Sequence, residues 1–209
     1  MRSIRSMLSL LAMVALVAPV AAQSAEGPWL VRVRALSLTP ADKSDAIPSL
    51  SVPEDAITVS SKIFPELDIS YFFATNFAAE LVLTYPQKHD VELNGAKIGT
   101  FKHLPPTLML QYHFMPTGSV RPYVGAGVNF TLISDVALLV PGVGALDLDD
   151  SSIGGAAQVG ADVRLSPGFF LNFDVKKVIL GSDVLAGGNA VSKVKVDPWL
   201  LSVGIGRRF

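Results

Sequence analysis

The sequence predicts an all-β protein, an eight-stranded antiparallel up-and-down transmembrane β-barrel. Three observations predict this fold. Eight segments alternate between large apolar residues and smaller or polar ones, long and short connections alternate between them, and the charged residues of these segments share one face. Alternation with period two is the pattern of a strand with one apolar face. An even number of strands joined in this way is typical of an up-and-down barrel.

The eight predicted strands end with a segment that reaches the C-terminus. They comprise residues 29–37, 65–73, 76–85, 106–114, 121–132, 152–165 and 168–180, and a last strand over 197–209, with an earlier start near Lys193 as the alternative. Long connections cover 38–61, 86–105, 133–151 and 181–193, and short ones lie near 75–76, 115–120 and 166–168. In outer-membrane barrels the short turns are periplasmic and the long loops extracellular. This layout places both termini in the periplasm.

The bulk composition favours lipid over water as the surroundings of this barrel. Only 17% of the residues are charged, whereas soluble proteins average about 25%, and the mean hydropathy is +0.44. The net charge of −1 gives no basis for nucleic-acid binding. The absence of cysteine excludes disulfides and thiolate metal sites. We expect no cofactor and no metal.

The N-terminus predicts a cleavable signal peptide over residues 1–22. Arg2 and Arg5 precede the apolar run from Met7 to Val17, and small residues follow in APVAAQSA. Cleavage after Ala22 fits best, and Ala25 is the later alternative. The apolar run is too short to cross a ~30 Å hydrocarbon core as a helix. Residues 23–209 are then the barrel, since no later run of 18 apolar residues offers a helical span.

The charged residues of the strands indicate which face points inward. Nine of them lie on the less apolar face: Arg32, Arg34, Glu66, Asp68, Glu80, Asp162, Arg164, Asp174 and Lys176. An arginine or lysine facing lipid at the midplane costs about 2–4 kcal/mol, so we expect these residues to form a polar network in the lumen. The alternative is a soluble barrel with its charges outside. Such a barrel would have too little charge to cover its exterior.

Five segments of the chain resemble the OmpW family of Gram-negative outer-membrane proteins. They are FPELDISYFFATNFAAEL (64–81), HLPPTLMLQYHF (103–114), RPYVGAGVNFT (121–131), GGAAQVGADV (154–163) and DPWLLSVGIGRRF (197–209). The resemblance covers nearly all of the chain after the signal peptide. It implies location in the outer membrane and an apolar channel that lets small hydrophobic compounds leave sideways into the membrane. It also implies that Phe209 is part of the signal read by the barrel assembly machinery, although Arg207 replaces the aromatic residue usual two positions before the end.

The inward residues leave three interpretations of the lumen open. Leu36, Val82, Met109 and Tyr123 predict an apolar constriction, with Lys176 in the same wall, above the polar network. The lumen is then either filled and closed, a narrow hydrophobic passage, or an open aqueous pore. The last interpretation is the weakest, because eight strands leave just enough room for side chains.

The expected function is therefore passage of small hydrophobic solutes through a narrow apolar lumen with lateral exit. The alternative is a structural or receptor-type barrel with a closed lumen. An enzyme is not expected, because a nucleophile and a base must lie within hydrogen-bond reach. His89 and His103 fall at or in the second outer loop, where no serine lies beside His103 on the same strand face, and His113 points inward near the periplasmic end. The expected partners are outer-membrane lipid and lipopolysaccharide, the barrel assembly machinery through the C-terminal strand, and small hydrophobic solutes.

Overall fold

A closed eight-stranded antiparallel barrel forms the body of the protein, as the sequence predicts. The computed structural model describes residues 26–46, 52–140 and 144–209, so the predicted signal peptide lies outside the described residues. The barrel strands are β1 (Trp29–Thr39), β4 (Lys62–Phe72), β5 (Phe77–Leu83), β8 (Thr107–His113), β9 (Val120–Val140), β11 (Ser151–Ser166), β12 (Phe169–Val178) and β15 (Trp199–Arg208). They pair in the order β11-β12-β15-β1-β4-β5-β8-β9, and β9 pairs with β11 to close the sheet. The described residues include no helix long and apolar enough to cross a membrane.

The first and last barrel strands seal the sheet. Strand β1 pairs with β15 from Leu30↔Arg208 to Thr39↔Trp199. The backbone N–H of Phe209 donates to the carbonyl of Trp29 at 2.8 Å. An open sheet edge is not tolerated in lipid, because its backbone groups would stay unpaired. The pairing of β1 with β15 therefore leaves no open edge between these two strands.

The outside of the barrel is an apolar belt. Large apolar side chains point outward from every barrel strand, among them Val33, Leu110, Val128, Phe173 and Leu201, which are 59%, 53%, 58%, 49% and 62% exposed. Their inward neighbours in sequence are buried or half-buried. This arrangement places apolar surface against lipid and polar residues inside, as in outer-membrane barrels.

The long connections contain strands, contrary to the prediction of plain loops. They hold β2 (Lys43–Ser44), β3 (Ile57–Val59), β6 (Gln87–Leu93), β7 (Ala96–Leu104), β10 (Gly144–Leu148), β13 (Gly181–Ala186) and β14 (Asn189–Lys195). We call these strands, with the end of β9, the extracellular extension. Strand β9 has 21 residues, about twice the 9–11 needed to cross a bilayer. The ladder therefore continues beyond the membrane.

Tight turns explain two hairpins of the extracellular extension. Asn94 and Gly95 have φ angles of 51° and 79°, and Gly187 and Gly188 have 58° and 83°. Two successive residues with positive φ form the type I′ turn, whose twist matches that of the flanking strands. The expectation that the last barrel strand can start near Lys193 is wrong, because the Gly187-Gly188 turn places Lys193 in a separate hairpin. Lys193 belongs to the β13–β14 hairpin, and β15 starts at Trp199, after Pro198.

Candidate functional site

The lower half of the lumen is filled by buried charged side chains. We call Arg32, Arg34, Glu66, Asp68, Glu80, Asp162, Asp174 and Lys176 the ion network. Each is at most 2% exposed. They share the inner face because the register places Arg32 opposite Asp68 and Arg34 opposite Glu66. Alternation then keeps them inside with every second residue of their strands.

Arg32 joins opposite sides of the barrel. Its guanidinium donates to Asp162 through Nη2 at 2.6 Å and Nε at 3.0 Å, a bidentate pair. Its Nη1 donates to Glu80 at 2.9 Å and to Ser70 at 2.8 Å. Bidentate arginine–carboxylate contacts are among the strongest hydrogen bonds in proteins. Arg32 therefore ties β1 to β4, β5 and β11.

Arg34 and Lys176 form the second half of the ion network. Arg34 lies 2.8 Å from Glu66 and 2.6 Å from Asp68. The ammonium of Lys176 lies 2.8 Å from Asp174 and 3.3 Å from Glu66. Three cations thus face five carboxylates, and the neutral donors Asn172 and Gln158 add hydrogen bonds to Asp162 and Glu80. A network this dense leaves no open aqueous pore at its level.

Two residues depart from their predicted positions. Tyr123 was expected in the apolar constriction, but its hydroxyl donates to Asp174 at 2.8 Å, so it belongs beside the ion network. Arg164 was expected in the polar network, but it is exposed at the periplasmic mouth and lies 2.9 Å from Glu26. Glu26 also pairs with Arg121 at 2.6 Å. Arg164 sits near the end of β11, where the inner face already meets water.

Apolar side chains lie above the ion network. Val82 and Met109 are 4% and 1% exposed and belong to one buried cluster, and Leu36 packs in another with Leu38 and Phe64. Between them is a cavity of about 20 Å³, which we call the lower cavity. Glu66 and Lys176 of the ion network form part of its wall. The predicted apolar residues Leu36 and Val82 line this space, whereas Met109 belongs to the same buried cluster as Val82 but does not line the cavity.

A second cavity lies within the extracellular extension. It has a volume of about 50 Å³, and we call it the upper chamber. Its wall is apolar apart from His89, His103, Thr131 and Ser182. Leu38, His103 and Leu180 line both cavities, so these three side chains separate them. The two cavities follow one another along the lumen and end at the ion network.

The barrel wall is interrupted beside the lower cavity. Pairing of β5 with β4 ends at Leu67↔Leu83 and with β8 at Val82↔Thr107, and β6 pairs with β7 again from Gln87↔His103. Residues 84–86 and 105–106 between these pairs belong to no strand. We call them the strand gap. Pro86, Pro105 and Pro106 lie in it, and proline has no N–H for a ladder bond.

The strand gap lies between the lower cavity and the outside of the barrel. Thr84 and Pro105 line the lower cavity, and the hydroxyl of Thr84 is buried without a hydrogen-bond partner among the described residues. The adjacent Tyr85 is 54% exposed on the outer surface. A single layer of backbone that belongs to no strand thus lies between the lower cavity and the outer surface of the barrel.

The sequence missed the upper chamber and its histidines. His89 and His103, expected in a loop, lie on β6 and β7 with ring centroids 4.7 Å apart. The Asn94-Gly95 pair between two alternating segments was the signal that could have revealed this hairpin. His113 lies inside the barrel near its periplasmic end, as expected, with Nε2 3.2 Å from Gln111.

Comparisons with known proteins identify relatives that match most of this chain. The model of the OmpW family matches residues 25–209. The chain is 41% identical to an uncharacterized outer-membrane protein, y4mB, of Sinorhizobium fredii, over 87% of this chain and 80% of that protein. It is 35% identical to outer membrane protein W of Vibrio cholerae, over 88% and 89%. The crystal structure of OprG from Pseudomonas aeruginosa superposes with a TM-score of 0.77 at 29% identity and covers 88% of this chain and 96% of that one.

Proposed function

Because this chain belongs to the OmpW family and is an outer-membrane β-barrel of a Gram-negative bacterium, we propose that it gives small hydrophobic molecules a lateral route into the membrane. A solute enters the upper chamber from outside and passes Leu38 and Leu180 into the lower cavity. It then leaves between the strands through the strand gap. The periplasmic half of the lumen takes no part in this route.

One observation carries the proposal: the apolar part of the lumen ends on charged residues at the level where the barrel wall is interrupted. The lower cavity has Glu66 and Lys176 on one side and Thr84 and Pro105 on another. An apolar solute gains about 25 cal/mol per Å² of surface removed from water. It gains nothing by entering a network of paired charges, so the sideways path into lipid is favoured.

Two physical features support transport without an energy source. Partition from water into an apolar cavity and then into lipid is downhill for a hydrophobic solute. The lower cavity holds only about 20 Å³, so the side chains around it must move for each passage. Side-chain rotation is fast compared with strand separation. Passage of a solute through the strand gap therefore needs no unfolding of the barrel.

The test is uptake of a small hydrophobic probe into liposomes that contain equal amounts of folded protein. Val82→Arg places a cation in the lower cavity and is expected to reduce protein-dependent uptake about tenfold, with Met109→Arg as an independent variant. Leu139→Arg is the matched control, because Leu139 is 63% exposed on β9 in the extracellular extension. Equal uptake by all four proteins, each shown to be folded by its gel mobility before and after boiling, would contradict the passage.

The alternative function is a structural or receptor-type barrel with a closed lumen. The tight packing of Val82 and Met109 favours this alternative. It predicts that liposomes with and without the folded protein take up the probe at the same rate. The same uptake experiment therefore separates the two functions.

A further inference from the structure

Two lysines lie opposite each other on the outer wall, next to the strand gap. Gln87↔His103 is the first pair of the β6–β7 hairpin, and Lys88↔Lys102 is the second. Gln87 and His103 are buried, so Lys88 and Lys102 point outward, because side chains alternate along a strand. Opposite residues have Cβ atoms about 4.5–5.5 Å apart. The two ammonium groups are therefore close enough to contact one ligand.

A third lysine reaches this pair from β4. The ammonium of Lys62 donates to the backbone carbonyl of Lys88. We call Lys62, Lys88 and Lys102 the basic patch. Among the described residues, the only ion pair of the basic patch joins Lys102 to Asp135, whose carboxylate lies 2.7 Å from Nζ. Three ammonium groups thus have one carboxylate partner.

The carboxylates near the basic patch are already engaged. Asp90, the next outward residue of β6, lies 2.7 Å from Nζ of Lys97. The hydrogen bond from Lys102 and the charges of Lys102 and Lys88 lower the pKa of Asp135. This carboxylate is therefore ionised at neutral pH and cancels one of three positive charges. The basic patch keeps an excess of two.

A second pair of opposite lysines in the extracellular extension is balanced. Lys43 on β2 faces Lys195 on β14. Lys43 lies 3.5 Å from Asp55, and Lys195 lies 3.6 Å from Asp45. Like charges directly opposite each other destabilise a sheet, and here each charge has its own carboxylate. The basic patch lacks this compensation within the described part of the chain.

The basic patch lies at the extracellular boundary of the apolar belt. Tyr85, three residues before Lys88, is 54% exposed, and Ile63, next to Lys62, is 74% exposed. Aromatic side chains concentrate where the hydrocarbon of a membrane meets the headgroups. The ammonium groups therefore lie where the headgroups of the outer leaflet begin. In a Gram-negative outer membrane these headgroups belong to lipopolysaccharide and carry phosphate groups.

We propose that the basic patch binds a phosphate group of lipopolysaccharide beside the strand gap. A phosphate group carries up to two negative charges and several acceptor oxygens, and lysine binds it as a point charge. It offsets the excess positive charge and accepts hydrogen bonds from Lys88 and Lys102. The acyl chains of the same molecule then lie beside Tyr85, along the outside of the strand gap. This binding does not rest on the proposed passage, because it is measured without uptake.

The test is binding of lipid A, the phosphorylated glycolipid of lipopolysaccharide, to the folded protein in detergent micelles. Native mass spectrometry counts the bound molecules and gives their dissociation constant. Lipid A with both phosphates is expected to bind about tenfold more tightly than the same lipid A without phosphates. The double variant Lys88→Gln with Lys102→Gln is expected to weaken binding of phosphorylated lipid A about tenfold, because it removes two exposed ion pairs with phosphate.

Two further variants separate the basic patch from general charge and from folding defects. Lys43→Gln with Lys195→Gln removes the same charge from the balanced pair and is expected to change the affinity less than twofold. Asp135→Asn removes the competing carboxylate and is expected to strengthen binding about threefold. A defect in folding does not produce such a gain.

Three results would overturn the proposal. They are equal binding of the two forms of lipid A, equal losses in the two double variants, and tighter binding of phosphatidylglycerol than of lipid A at the same lysines, which would make the ligand a phospholipid. Failure of the proposed passage gives a different result. Val82→Arg changes the lumen and not the outer wall, so it is expected to leave lipid A binding unchanged whatever its effect on uptake.

Discussion

Replacing Arg32 by methionine tests whether the ion network holds the barrel together. Methionine has a similar length, so the change removes the charge and its hydrogen bonds with little change in volume. Arg32 is fully buried and contacts two carboxylates, Glu80 at 2.9 Å and Asp162 at 2.6 Å. After the substitution both carboxylates remain buried without this partner.

The expected loss of stability follows from these contacts. Removing one partner of a buried ion pair costs about 3–5 kcal/mol, because the remaining charge stays uncompensated. Arg32 serves two carboxylates, so we expect a loss of about 5 kcal/mol in the free energy of unfolding. Adding Asp162→Asn to Arg32→Met removes one of the uncompensated charges. The double variant should therefore be more stable than Arg32→Met alone, by about 1–3 kcal/mol.

Equilibrium unfolding in urea, with the protein in lipid vesicles, measures these differences through the fluorescence of Trp29 and Trp199. Lys43→Met is the control, because Lys43 pairs with Asp55 at 3.5 Å at an exposed site, where an ion pair contributes about 0–1 kcal/mol. If Arg32→Met costs no more than Lys43→Met, the ion network does not stabilise the barrel and the reasoning is refuted.

Three other predictions concern packing, pH and assembly. Gly160→Ala would place a methyl group against the ring of Tyr123 and 2.6 Å from the carbonyl oxygen of Phe173. We expect it to lower the free energy of unfolding in urea by about 1–3 kcal/mol, and an unchanged unfolding midpoint would contradict this. Burial lowers the pKa of His103 from 6.5 to about 3, so the unfolded chain takes up the proton before the folded chain does. The contribution of neutral His103 to the free energy of unfolding is therefore complete above pH ~6.5 and falls as the pH drops toward 3. Smaller protection factors of the β6–β7 amides against hydrogen exchange at pH 4 than at pH 7, with a smaller difference in His103→Phe, would be the evidence, and equal protection factors would exclude it. Deleting Phe209 removes its two backbone hydrogen bonds with Trp29 and should lower the amount of folded barrel in the outer membrane without lowering synthesis; equal amounts would exclude a role in assembly.

The fold was predictable from the sequence because a membrane constrains each strand separately. Every barrel strand needs an apolar outer face wherever its partners lie, so Val33 and Arg34 already show which side of β1 meets lipid. The extracellular extension is not constrained in this way, since its strands bury side chains against one another in water. For that reason the sequence predicts loops at these strands, although the Asn94-Gly95 pair is a signal of a hairpin.

The candidate site was predictable only in part. The inward position of the ion network and of Leu36, Val82 and Met109 followed from alternation. Tyr123 lies on the same face, but its height in the lumen depends on the register with β8 and β11, which places it opposite His113 and Gly160. Sequence spacing alone does not fix that height, because strand tilt and stagger are set when the barrel closes.

By itself, the sequence determined that this chain is an eight-stranded outer-membrane barrel with charge inside, because hydrophobic alternation is a property of each strand. Only the tertiary structure decided how the lumen is divided. Arg32 meets Asp162 across 130 residues, and His89 and His103 meet in one apolar wall. Residues 84–86 interrupt the sheet beside the lower cavity. These contacts arise only when the barrel closes and distant strands share one interior, where buried polar groups find partners on other strands.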